Sequence, residues 1–199
     1  MARGSSTRFA ILGMLSLGPM SGYDIKQFAE SSIGHFWTEN YGQIYPTLKE
    51  LLAEGLITRR KGASDARKQV YEIAPRGREA LRGWLRVPPA AQPVRSELML
   101  KLFFGDQIEP AEAAVYVRES LKQFQDLLHE YVGIKQQLRR DFAEHPGLPY
   151  WLITLRFGEE RAEGVVRWAK ETLRELEQLE SGHVKDKQGA AKQGQKVRK

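Results

Sequence analysis

None of the 199 residues is a cysteine. That excludes disulfide staples, thiolate catalysis and cysteine-held zinc. Long apolar runs are missing too. Nothing approaches the roughly eighteen consecutive apolar residues that a membrane-spanning helix needs. The N-terminal MARGSSTRF lacks the small-residue cleavage pattern of a signal peptide, so a cytoplasmic location is expected. Histidine is sparse and scattered, at His35, His129, His145 and His183. His129-Glu130 is not followed by the second histidine of a zincin helix, and neither a GxxxxGKS/T loop nor a GxSxG elbow occurs. Paired acids such as Glu159-Glu160 read as a solvated helix face. The sequence is therefore expected to be no enzyme and to require no metal or cofactor.

Charge is present but unevenly spread. The formal net charge is +6. Counted along the chain it is +4 over residues 1–85, −3 over 86–180 and +5 over 181–199. A basic front and a basic end around an acidic middle suggest separate tasks, with a polyanion as a candidate partner for the front.

The front half alternates short helical patterns with breakers. FAILGMLSL (9–17) predicts a short buried helix. GPMSG (18–22) is turn chemistry, and Ser21 is placed to cap a helix from Gly22 to about Ile33, with Tyr23, Ile25 and Phe28 as apolar anchors. NYGQIYPTLKELLAEGLI (40–57) carries Ile44, Leu48, Leu51 and Leu52 on one helical stripe, stopped by Gly55. Asn40 and Gln43 resemble a capping box. The favoured start is Asn40–Tyr41 with a distortion at Pro46, because an interior proline is costly; the alternative is a start near Tyr45 after a looser lead-in. LITRRK (56–61) and KQVYEI (68–73) read as a two-stranded hairpin around GASDAR, with Gln69, Tyr71 and Ile73 sharing one face. Pro75 opens a helix to about Leu85.

Three helices, a hairpin and a further helix predict a winged helix-turn-helix over 1–85. In such a fold the second helix of the pair enters the major groove. Its stripe must face the core, so Gln43, Thr47 and Lys49 are expected to face DNA. Gln pairs well with adenine, and Thr hydrogen-bonds or touches a thymine methyl. Tyr41 and Tyr45 offer hydroxyls to phosphates, and Tyr23 and Asn40 complete the candidate set. On the hairpin, Arg59, Arg60, Lys61, Arg67 and Lys68 suit a backbone clamp. Singly, each is an ordinary strand-edge cation; helix and wing together favour DNA.

RVPPAAQP (86–93) marks a proline-rich linker. Beyond it, 94–180 reads as an all-α domain. SELMLKLFF (96–104) is strongly apolar. Pro110 opens a long helix to about Glu144, in which Ala114, Val117, Leu121, Phe124, Leu128, Tyr131 and Leu138 form a heptad seam broken by Lys135. HPGLP (145–149) ends it. A second long helix, from about Tyr150 to Glu180, carries Leu152, Leu155, Ala162, Val166, Ala169, Leu173 and Leu176, interrupted by Glu159. Each spans roughly 45–50 Å, and packing on a second chain is expected, through Val117, Leu121, Phe124, Leu128, Tyr131, Leu173 and Leu176. The basic end, 181–199, has no apolar stripe and is expected to be disordered. It either adds non-specific phosphate contacts or is inert.

The runs LGMLSLGPMSGYDIKQF, IYPTLKELLAEGLI and KQVYEIAPRGREAL together resemble the PadR family of bacterial transcriptional regulators. SELMLKLFFGD and TLRFGEERAEGVVRW resemble the virulence-activator-alpha type of C-terminal domain found in its longer members. The resemblance implies a winged-helix homodimer on a palindromic promoter site. It also implies that some members respond to small aromatic ligands. Trp84, Phe104, Tyr150, Trp151 and Trp168 are the aromatics to inspect for that role, although helix packing is the commoner use of such side chains. A protein partner bound by the second half is the alternative means of control. One departure is Ala74-Pro75, where the family usually has Thr-Glu: Ala74 cannot cap the helix that follows, and Pro75 at its first turn offsets this in part.

Overall fold

The structure, a computed structural model, describes residues 3–34, 36–37, 41–60, 69–90 and 95–196, with the backbone alone at 3–5, 41 and 183–196. The chain divides into two compact units, Met1–Pro93 and Val94–Lys199.

In the first unit the order is α1 (Arg3–Leu17), β1 (Met20–Ser21), α2 (Gly22–Ser32), a 3-10 turn at Tyr41–Gln43, α3 (Ile44–Ala53), β2 (Ile57–Arg59), β3 (Val70–Ile73) and α4 (Pro75–Leu85). Ser21 caps α2 as expected. Its hydroxyl accepts from Asp24 N–H, and the Asp24 carboxylate accepts from Ser21 N–H at 2.9 Å, a complete capping box. The sheet is antiparallel with order β1-β3-β2, so a third strand joins the expected hairpin. β1 is two residues long, Met20 opposite Tyr71 and Ser21 opposite Val70, too short to show any alternation in sequence. Tyr71 and Ile73 point into the core, as the alternation along β3 predicts.

The core gathers Ile11, Leu12 and Leu15 of α1, Ile25 of α2, Leu48 and Leu51 of α3, and Ile57 of β2. Trp84 of α4 stacks flat on Phe9 of α1, centroids 4.9 Å apart. α3 ends in a Schellman motif: Leu56 N–H reaches Leu51 C=O, Gly55 N–H reaches Leu52 C=O, and Gly55 takes φ +69°. α4 begins at Pro75 with Ala74 as an N-cap that makes no side-chain bond.

The start of α3 differs from the favoured expectation. Regular helix begins at Ile44 after the 3-10 turn, and Gln43 sits at the N-cap without a side-chain bond. Pro46 is thereby the third helical residue, where no intrahelical N–H is needed. The proline is accommodated by starting the helix late, not by bending it. Asn40 lies outside the described residues.

The second unit holds α5 (Glu97–Phe103), a 3-10 turn at Gly105–Gln107, α6 (Pro110–Asp141) and α7 (Leu148–Lys196). α7 runs back along α6. Tyr131, Leu155 and Ala162 form the centre of their contact, flanked by Phe124, Leu127, Leu128 and Ile134. Part of the α6 seam expected to face a second chain is covered within one chain. Val117 and Tyr131 are 0% and 3% exposed within one chain, and Phe124 and Leu128 pack against α7 of the same chain. Leu121, Leu173 and Leu176 are half-buried. A heptad pattern specifies a helical neighbour but not whose helix it is. α7 also continues past Glu180 to Lys196, through a stretch without proline in which lysine and glutamine, good helix formers, outnumber Gly182, Gly189 and Gly194.

The two breaks in the seams meet. Lys135 Nζ of α6 donates to both carboxylate oxygens of Glu159 on α7, at 2.9 and 2.7 Å. One turn away the Tyr131 ring lies against Gly158, where a Cβ would fall 2.7 Å from the phenol oxygen. Pair and glycine together select one register for the hairpin.

Lys135→Met alone strands the half-buried Glu159 carboxylate and should cost about 1–3 kcal/mol. Adding Glu159→Leu should recover most of it. Urea unfolding at fixed protein concentration measures both. Burial holds the Tyr131 phenol protonated above the ordinary tyrosine range, opposed by Arg161 and assisted by Glu130 and Glu159. The folded chain therefore binds that proton more tightly than the unfolded one. The stability it contributes is fully present below about pH 10 and is lost as pH rises through the folded-state value. Tyr131→Phe should remove that component from unfolding titrations at alkaline pH.

Candidate nucleic-acid interface

The orientation of α3 follows from what it buries. Ile44, Thr47, Leu48 and Leu51 are buried, at spacings of three, one and three residues, and Leu52 is half-buried. This stripe is rotated from the expected one and includes Thr47, only 6% exposed. Thr47 is thus corrected from a groove-facing to a core-facing residue; a β-branched side chain with one hydroxyl fits there almost as an apolar one. The opposite side presents Gln43, Tyr45, Pro46, Lys49 and Glu50 to solvent, three of the candidate residues among them. Tyr41 belongs to the 3-10 turn, but its side chain is outside the description.

Tyr45 is 58% exposed, yet its position is fixed. Its ring rests on the backbone of Gly22, where an added Cβ would lie 2.7 Å from Cε1 and 3.0 Å from Cζ. The next residue, Tyr23, is 57% exposed and not a core anchor. Its hydroxyl accepts from Gln27 Nε2 at 3.0 Å. The N-terminal ends of α2 and α3 thus form one polar surface bearing two tyrosines, two glutamines and a lysine. Gln27 is a member that sequence reasoning missed. The available signal was its position one helical turn after Tyr23.

On the wing, Arg59 and Arg60 are exposed, and Arg60 N–H extends the ladder to Val70 C=O at 3.0 Å. Lys61, Arg67 and Lys68 lie outside the described residues. Of the candidate effector aromatics, Trp84 is taken up by its stack on Phe9. Trp151 stacks on His145 and meets Phe142 edge-on at the α6–α7 turn. Trp168 is half-buried on α7, while Phe104 and Tyr150 are 57% and 71% exposed. A groove of about 310 Å³ on α6 and α7 is lined by Leu128, Val166, Arg167, Lys170 and Arg174, among others, and by none of these five.

A helix-turn-helix with its second helix presented in this way, followed by a basic hairpin, defines a winged-helix DNA-binding protein. Comparison with known proteins makes the assignment specific. Residues 11–83 match the model of the transcriptional regulator PadR-like family, and residues 94–177 match the virulence activator alpha C-terminal domain. The negative transcriptional regulator PadR of Bacillus subtilis is 31% identical over 173 residues, covering 83% of this chain and 94% of that protein. The crystal structure of Bacillus subtilis PadR in complex with operator DNA aligns with TM-score 0.74 and 31% identity, over 86% of this chain and 99% of that one. That of the same protein in complex with p-coumaric acid aligns with TM-score 0.69 and 30% identity, over 89% and 98%. The chain belongs to the PadR family of transcriptional regulators.

Gly22→Ala should displace the Tyr45 ring without unfolding the domain. The expected result is roughly a tenfold loss of specific DNA affinity, the worth of about one good contact, in gel shifts run beside a thermal melt that stays within a few degrees of wild type.

Proposed function

We propose that this protein is a homodimeric regulator that reads a two-fold symmetric operator, placing α3 in the major groove and the wing on the phosphates. The observation that carries the reading is the solvent face of α3. Gln43, Tyr45 and Lys49 stand out on a helix whose rotation is set by four buried residues. Gln43 supplies an amide suited to adenine; Tyr45, Tyr23 and Lys49 suit phosphate. Arg59 and Arg60, with Lys61, Arg67 and Lys68 between β2 and β3 in the sequence, add the sequence-independent attraction.

Dimer formation is supported by apolar surface that one chain leaves open. α5 has no buried residue; Met99, Leu100 and Phe103 on it, and Phe104 just after it, are 43–80% exposed. Tyr150, Ile153 and Phe157 follow one another along one face of α7, each more than half exposed. Contiguous exposed apolar side chains of this size mark an association surface. In a two-fold dimer the reading helices contact half-sites about 34 Å apart or a multiple of that. Control by a small aromatic acid is the accompanying proposal, supported by the relative solved with p-coumaric acid.

DNA footprinting over the promoter of the protein's own gene, at matched salt against random DNA, tests the reading. The expected result is a protected palindrome bound at least a hundredfold more tightly than random sequence, with protection weakened by p-coumaric acid. Equal affinity for both DNAs would exclude operator reading; unchanged protection with the acid would exclude that effector alone.

A further inference from the structure

α3 is held at its first turn by the seat of Tyr45 on Gly22 and along its length by Thr47, Leu48 and Leu51. Its last turn is held differently. Glu54 is the C-cap residue, and a carboxylate there faces the negative end of the helix dipole. Nothing in the formation of α3 calls for an acid at that position. It is met by Arg8 of α1, 46 residues earlier, whose Nη2 forms an ion pair with Glu54 Oε2.

Arg8 is an unusual surface arginine. Its side chain is 28% exposed, and its buried Nε has no hydrogen-bond partner among the described residues. It lies beside the ring of Phe9, which in turn carries Trp84. A guanidinium kept free for a phosphate would remain hydrated at Nε and would have no partnered acid. This one gives up part of its hydration to stay between α1, the Phe9–Trp84 stack and the end of α3.

We propose that Arg8 and Glu54 are positioning residues for DNA reading, an inference that rests on the operator-reading proposal above. They touch no base. They fix the direction of α3 from its far end. α3 has ten residues, about 15 Å of helix. The first turn is held separately by Tyr45 on Gly22, so without the pair the helix swings about that seat: a tilt of about 5° moves Glu54 by about 1.2 Å and Lys49 by about 0.5 Å. A half-ångström shift carries a hydrogen bond of about 2.9 Å from Lys49 to the edge of its useful range. The pair is also neutral overall, so it adds nothing to the positive field that attracts phosphates.

The test uses the full-length chain, a footprinted operator fragment and random DNA of equal length. Glu54→Gln, Arg8→Gln and the exchanged pair Arg8→Glu/Glu54→Arg are compared with wild type for affinity, salt dependence and melting temperature. Each single variant should lower the operator-to-random ratio by about tenfold, leaving random-DNA affinity and its salt slope unchanged; the exchanged pair should regain most of the ratio. Glu54 is 47% exposed, so Glu54→Gln keeps the fold and decides the matter should Arg8→Gln unfold. A salt slope reduced by about one in Arg8→Gln, with Glu54→Gln behaving as wild type, would make Arg8 a phosphate ligand and overturn the proposal. Wild-type ratios in both single variants, or no recovery in the exchanged pair, would overturn it as well. If the wild type itself shows no operator preference, operator reading and this inference fail together, before any substitution is compared.

Discussion

The burial of Ile44, Thr47, Leu48 and Leu51 against α1 and its neighbours is the constraint on which the functional surface depends. A helix of ten residues in isolation is marginal in water, so α3 exists because that stripe is buried. Once those four positions face inward, the remaining side chains have no choice of direction. Gln43, Tyr45 and Lys49 are presented together because the helix is fixed in rotation, and Gly22 then fixes the tyrosine further. Chemistry and packing are two sides of one element, and neither can shift by a residue without the other.

The second unit solves a different problem with similar means. Two long helices offer many near-equivalent registers, because leucine-rich seams slide with little penalty. The polar pair Lys135–Glu159 and the Tyr131–Gly158 contact remove most of them. A slip of one turn would leave a lysine and a carboxylate facing apolar side chains and drive a Cβ into the Tyr131 ring. Half-buried polarity of this kind favours one arrangement more than it adds stability.

Much of this was legible in the sequence, and the failures have physical causes. Ser21 as a cap, Gly55 as a stop, Pro75 as a helix opener and the alternation of Tyr71 and Ile73 are local signals, each tied to the backbone chemistry of a few residues. β1 was not legible because two residues carry no period. Thr47 misled because a threonine accepts burial when its neighbours demand it. Asn40 and Gln43 match a cap pattern, but Pro46 favours the first turn more strongly, and α3 starts late at Ile44. The heptad pattern around Tyr131 marks a helix contact, and within one chain α7 supplies it through Leu155 and Ala162; periodicity records a partner and not its chain. Lys135 and Glu159 each stood out as defects; only the fold shows that they cancel. Arg8–Glu54 joins positions 46 residues apart that no local window connects, whereas Tyr23–Gln27, one helical turn apart, carried a local signal.

β3 is shared in a way that links the two halves of the DNA-binding unit. One edge pairs with β2 to make the base of the wing, and the other pairs with β1, whose Ser21 is also the residue that caps α2. A load applied at the wing therefore passes through one strand into the first turn of α2, beside Tyr23 and beneath Tyr45. Among the described residues, β3 thus ties the base of the hairpin directly to the first turn of α2. A duplex bound to a frame of this kind is selected by its curvature as well as by the identity of its bases.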